Sequence, residues 1–159
     1  VLHVCRSFVP LMKGRVGHIV NVSSAAGLYG AFGYAAYSSA KFAVVGLSQV
    51  LRGELKPYGL RVSVLCPMDT DTPQLEAELK LRPMETNAMS AGTSAVLSPD
   101  AVAAELVSAL FTNRFLIIPG TGGKLAHLAQ RFAPGLLERY LDAKVRSARN
   151  SSNPTERST

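Results

Sequence analysis

A parallel β-sheet covered by helices on both faces is the fold class this sequence predicts. Three observations lead there: the order strand, helix, strand, helix, strand; strands that read as near-continuous apolar runs; and short connections between them. In chain order, Leu2, Cys5, Phe8, Val9 and Met12 mark an amphipathic helix that ends near Lys13-Gly14, where glycine permits a stop. The β-branched run from His18 to Ser23 is a buried strand, followed by a loop rich in Gly and Ala over Ala25–Gly33. A helix from about Ala36 to Lys56 places Ala40, Ala43, Val44, Leu47, Val50, Leu51 and Leu55 near a 3.6 period and stops at Pro57-Tyr58-Gly59. Arg61–Cys66 is a second strand. The stretch Pro67–Leu97 is expected to be a long mobile excursion with one short helix at Leu75–Lys80. Ser98 caps a further helix with Pro99 in its first turn, and that helix runs through Val102, Leu106 and Leu110. Phe115–Ile118 is a third strand, and Pro119-Gly-Thr-Gly-Gly123 reads as a turn. Lys124–Arg149 carries two amphipathic helices around Pro134-Gly135, expected to dock on the domain's own core. Residues 1–149 are expected to form one domain, and Asn150–Thr159, polar and serine-rich, a disordered tail.

The chain has 159 residues, 47% of them hydrophobic, enough for one packed core. The 17 Lys and Arg against 11 Asp and Glu give a net charge of +6, much of it late in the chain. These basic residues are spread along helices without an aromatic ladder, so a solvated face is expected and nucleic-acid binding is not. Cys5 and Cys66 lack a CxxC spacing or a histidine partner and read as small buried hydrophobes of a reducing compartment. Apolar runs such as Val62–Leu65 are far shorter than the roughly 20 residues a membrane span requires. A cytoplasmic location follows, with peripheral contact of the C-terminal helices with a membrane as an open alternative. The chain starts without methionine inside a helix, which suggests a fragment of a longer protein.

Right-handed crossovers place Ser24, the loop after Cys66 and the excursion at the carboxyl edge of the strands, where open α/β sheets bind ligands. The residues there have a chemistry. Tyr37 and Lys41 are four apart on one helix, so they share a face and the ammonium lies near the phenol oxygen. A free tyrosine, with a pKa of about 10, is a poor base at neutral pH, and a nearby cation favours its phenolate. Tyr37 can then exchange a proton with an alcohol or carbonyl oxygen while a nicotinamide exchanges hydride with the adjacent carbon. Ser24, at the end of the preceding strand, is placed to hydrogen-bond the same oxygen.

YxxxK alone is weak evidence. Here it follows a strand ending in Asn21-Val-Ser-Ser-Ala-Ala-Gly27, with thirteen residues from Ser24 to Tyr37, and the next strand ends in Pro67. Together these motifs make the chain similar to the short-chain dehydrogenase/reductase family from Val1 to about Pro119. The resemblance implies the C-terminal half of a doubly wound Rossmann-type sheet, with Ser24, Tyr37 and Lys41 as catalytic serine, tyrosine and lysine. It also implies cofactor contacts at Tyr37, Lys41, Pro67, Met68, Thr70 and Thr72. Thr72 matches the threonine that touches the nicotinamide side of the cofactor, whereas Met68 and Thr70 depart from the family's usual strand end. The family's glycine-rich loop, cofactor selector and fourth catalytic asparagine belong upstream of Val1, so the chain alone is expected to be inactive.

Pro67–Pro73, Lys80–Thr86 and Ser98-Pro99 resemble the 3-ketodihydrosphingosine reductase group. That resemblance implies reduction of a hydrophobic, long-chain ketone with NADPH, NADH remaining open, and a homo-oligomer. The alternative is a catalytically inactive piece serving as a dimerisation module through the helix that bears Tyr37. Among other residues, His3, His18 and His127 lack ligand spacing and are expected to be structural. Asp69 and Asp71 are read as capping or substrate-contacting residues rather than a metal site. Tyr29, Tyr34 and Met84 to Met89 are candidates for the wall of an apolar pocket.

Overall fold

The computed structural model describes residues 1–91 and 95–152. Among these residues seven α-helices and three strands follow in the order α1 (Leu2–Met12), β1 (Gly17–Val22), α2 (Ala35–Leu55), β2 (Leu60–Leu65), α3 (Pro73–Leu79), α4 (Met84–Ser90), α5 (Pro99–Thr112), β3 (Leu116–Ile117), α6 (Thr121–Phe132) and α7 (Pro134–Ser152). The strands form a parallel sheet in the order β1-β2-β3, with Gly17 opposite Leu60, Val22 opposite Leu65 and Leu65 opposite Ile117.

The strand period of two separates the two faces of the sheet. Val62 packs with Leu55, Leu60, Val9, Met12 and Leu51, and Val64 and Cys66 pack with Ile118, Val44 and Val45. That face is covered by α1 and α2. Leu65 and Ile117 point the other way, onto Ala109, Val102 and Leu106 of α5. The central strand is therefore buried on both sides: Leu60, Val62 and Val64 face α1 and α2, and Leu65 faces α5 on the side that also carries Arg61 and the buried Ser63.

Asn21, Ser48 and Cys5 form a hydrogen-bonded chain inside this core. Buried Asn21 donates from Nδ2 to Ser48 Oγ at 2.9 Å, and Ser48 donates to Val44 O at 2.7 Å, tying β1 to α2. The Cys5 thiol donates to Asn21 Oδ1 at 3.6 Å, and both cysteines are buried and free.

Several boundaries differ from expectation. The excursion holds two helices, not one. Thr72 caps α3 by accepting from Leu75 N at 3.3 Å, with Pro73 in the first turn, the same Thr/Ser-Pro signature as Ser98-Pro99 at α5. Its two ends are joined, because Leu97 N donates to Asp69 O at 3.0 Å and Asp71 N to Leu97 O at 2.8 Å. The glycines of Pro119–Gly123 are not all turn: Gly120, at φ +78°, is the N-cap, and Gly122 and Gly123 already lie in α6. A Cβ on Gly123 would sit 2.8 Å from Ile118 and 3.0 Å from Met68, so glycine lets this helix approach the strand end. Helix α7 continues to Ser152, so the first three residues of the expected tail are helical; 153–159 lie outside the described residues.

Candidate active site

At the carboxyl end of β1 the chain turns sharply, and two adjacent serines divide the work. Ser23 is buried and donates from Oγ to the backbone carbonyl of Lys41 at 2.8 Å. Ser24 Oγ accepts from Ala26 N at 3.2 Å, capping a 3-10 turn over Ala25–Gly27. Accepting there leaves the Ser24 hydroxyl proton free to donate elsewhere. Gly27 makes the close approach of this turn to α2 possible, since a Cβ would lie 2.7 Å from Lys41 O and 2.5 Å from Ser23 Oγ.

Tyr37 and Lys41 occupy the first two turns of α2. The Lys41 ammonium lies 5.4 Å from the centroid of the Tyr37 ring and 3.5 Å from Val22 O. Ser24, Tyr37 and Lys41 all line one cavity of about 500 Å³. Pro67, Met68, Thr70 and Thr72 line it as well. The sequence reading did not assign the role that the structure gives Thr72, whose hydroxyl caps α3 and donates to Thr70 O at 3.2 Å. Met68 Sδ accepts from the Tyr29 hydroxyl at 3.3 Å while its side chain packs on Gly123.

An apolar wall of the cavity comes from distant parts of the chain: Met89 of α4, Val102 and Leu106 of α5, and Leu137 and Leu141 of α7. Tyr29 and Tyr34 are lining residues as expected; Met84 is not, being 47% exposed on the outer side of α4. Helix α7 is fixed over this wall by Arg149, whose Nε donates to Glu85 Oε1 at 3.0 Å, and by Lys144, whose Nζ donates to Ala91 O at 2.9 Å.

A polar cluster borders the cavity beside Tyr37. Arg82 donates from Nη1 to Asp69 Oδ2 at 2.7 Å, from Nη2 to Asp69 Oδ1 at 3.1 Å and to Glu78 Oε1 at 2.7 Å, and from Nε to Tyr34 Oη at 2.9 Å. Tyr34 in turn donates to Glu78. Burial, then the Glu78 carboxylate, push the Tyr34 phenol up to about 12, and burial with the charge of Asp69 pushes Tyr29 up to about 12, so both stay protonated donors. The role found for Asp69 is thus an ion pair, not a cap. Arg82 was missed by the sequence reading; its i,i+4 spacing from Glu78 in an otherwise Pro- and Met-rich excursion was the available signal. Among the described residues no group of three His, Cys, Asp or Glu side chains is arranged to hold a metal ion.

The profile of the short chain dehydrogenase family matches residues 1–82, the span that contains all three of these side chains. The chain belongs to the short-chain dehydrogenase family. Within it, the chain is 44% identical over 131 residues to the 3-ketodihydrosphingosine reductase of Mus musculus, covering 81% of this chain and 39% of the mouse protein. The chain therefore spans about two fifths of that relative's length. A short chain dehydrogenase from Burkholderia cenocepacia J2315, solved in complex with NADP, superposes with a TM-score of 0.73 at 21% identity over 88% of this chain and 53% of the other, a likeness of fold. A short-chain dehydrogenase/reductase from Burkholderia phymatum, solved with NAD, gives a TM-score of 0.68 at 25% identity over 85% and 54%. Members of the family thus share the parallel sheet and flanking helices described above.

Proposed function

We propose that this chain carries the chemical and substrate-binding part of an oxidoreductase that reduces a ketone on a hydrophobic, long-chain substrate with NADPH or NADH. The observation that carries the reading is the convergence of Ser24, Tyr37 and Lys41 on a cavity that apolar side chains of α4, α5 and α7 also line. The 3-ketodihydrosphingosine reductase relatives make a 3-keto long-chain base the substrate to try first.

The donors fit a nicotinamide nucleotide. Among the described residues the one hydrogen bond of Lys41 Nζ is the long contact to Val22 O, which leaves ammonium donors for a polar ligand in the cavity. Pro67, Met68, Thr70 and Thr72 would form the strand-end side of that site, with Thr72 contributing while it caps α3. When bound, the reduced cofactor supplies hydride to the carbonyl carbon. Tyr37 gives its hydroxyl proton to the carbonyl oxygen, so the ketone becomes an alcohol. Ser24 donates its free hydroxyl proton in a hydrogen bond to the same oxygen and orients it. The positive charge of Lys41 stabilises the phenolate left behind. Apolar side chains of α4, α5 and α7 receive the hydrocarbon part and exclude water. Exposed Phe42 and Val50 on α2 offer a face through which two copies would pair.

The test compares cofactor binding and keto-base reduction by the 159-residue chain and by the chain extended upstream to its relatives' length, each beside Tyr37→Phe. Reduction by the extended chain that disappears in Tyr37→Phe supports the reading. Turnover by the short chain alone would show that the upstream part is dispensable. No turnover by either would favour the interaction-module alternative.

A further inference from the structure

We propose that Arg82 is a positioning residue of this site, aligning Tyr37 through Tyr34 and coupling that alignment to the strand-end loop and the α3–α4 wall. The inference rests on the reading of Tyr37 as the acid/base group.

The guanidinium is the most completely used polar group near the cavity. Its side chain is only 4% exposed. Arginine has five N–H donors in a fixed planar fork, and here five hydrogen bonds leave it: one from Nε to Tyr34, two from Nη1 to Asp69 and Ser90, and two from Nη2 to Asp69 and Glu78. The acceptors belong to separate parts of the site. Asp69 is in the loop after β2, beside Met68 and Thr70. Glu78 and Ser90 belong to α3 and α4. Tyr34 is the N-cap residue of α2, three positions before Tyr37, and the two rings meet at 5.6 Å between centroids with a 60° tilt.

A fork with this pattern fixes orientation as well as charge. Tyr34 is held at its hydroxyl by Arg82 and Glu78, so its ring forms a rigid side for Tyr37. The excursion is also seated on the α2 entry at a second point, where Thr86 donates to Phe32 O at 2.7 Å and Gly33 lies against Pro83. Releasing the Arg82 node would leave Tyr37 free to tilt while Ser24, Tyr37 and Lys41 themselves stay intact, and small misplacements of a reacting group carry large rate penalties.

The experiment is steady-state ketone reduction by full-length protein carrying Arg82→Lys, Tyr34→Phe or both, with Tyr37→Phe as control. Lysine keeps the charge but not the fork. Phenylalanine keeps the ring against Tyr37 but frees it from Arg82. Each single variant should lower kcat by on the order of tenfold to a hundredfold, more than it raises KM. The double variant should be no worse than the weaker single, because both changes break one linkage. If Arg82→Lys fails to fold, Tyr34→Phe alone carries the kcat comparison. Effects that multiply in the double variant, a rise in KM alone, or unchanged kcat beside a lower melting temperature would each overturn the inference. Inactive Tyr37→Phe beside fully active Tyr34→Phe and Arg82→Lys sinks this inference only, whereas full activity in Tyr37→Phe sinks the reading of the site and this inference with it.

Discussion

Ser23 hydrogen-bonds the backbone carbonyl of Lys41 at 2.8 Å, so the end of β1 and the second turn of α2 are joined at the residue that carries the site's ammonium. Gly27 lies under the same carbonyl, with room for no side chain. Gly27→Ala is therefore expected to push α2 away, costing ~1–3 kcal/mol as overpacking does. Activity in the full-length protein should fall with it. Ser23→Ala should weaken the same joint without a clash. Chemical denaturation of both variants checks the order, Gly27→Ala being the worse.

His18 gives a prediction for acid. Ser63 donates its proton to Arg114 O at 2.5 Å, so it accepts from His18 Nε2 at 2.7 Å, and the neutral ring carries its proton on Nε2. Nδ1 is buried without a partner among the described residues. Protonation there places a charge in the interior, and burial, followed by the charge of Arg61, lowers the folded-state pKa from about 6.5. The unfolded chain thus binds the extra proton first, and stability is expected to decline as the pH falls below about 6.5 toward the folded-state value. His18→Gln should flatten that part of the melting-temperature profile.

Glu105 titrates in a lower window. Lys124 Nζ at 3.0 Å and Arg114 Nη1 at 3.2 Å hold its carboxyl below the ordinary value of 4.5, Lys124 contributing most. Its contribution is fully present above about pH 4.5 and is lost as pH falls through the folded-state value. The pairs are half exposed, so Glu105→Gln should cost less than about 1 kcal/mol, and the difference from the parent should shrink in high salt.

Thr72 caps α3 and is proposed to contact the cofactor, and a pair of substitutions separates the two. Thr72→Ala removes the α3 cap, at a cost of about 1 kcal/mol. Thr72→Ser keeps a capping hydroxyl and should restore stability. If Thr72→Ser also restores cofactor affinity in the full-length protein, a hydroxyl suffices at this position; lost affinity at restored stability would assign the methyl group to the cofactor side.

The strands and long helices were legible because each writes its environment into a short repeat. Val62, Val64, Leu65 and Cys66 are apolar because helices cover both faces of β2, with buried Ser63 the one polar position between them, and the 3.6 period of α2 records one buried face. Ser24, Tyr37 and Lys41 were legible for a similar reason, since two of them share a helix face and the third ends the neighbouring strand. The excursion was harder. Its Thr72-Pro73 start signal was present, but a seven-residue helix gives too few turns to show a period, and α4 has the same length.

Sequence alone thus determined the parallel α/β class and the strand edge at which Ser24, Tyr37 and Lys41 come to line one cavity, because backbone periodicity and capping are local properties. Tertiary structure alone decided how the cavity closes. Nothing local tells Arg82 that Asp69 and Tyr34 will surround it, or Leu137 and Leu141 that they will line one cavity with Tyr37. These groupings bring together residues 13 to 104 positions apart, and they form because a guanidinium buried with two carboxylates must satisfy every donor and an amphipathic helix must cover its apolar face somewhere.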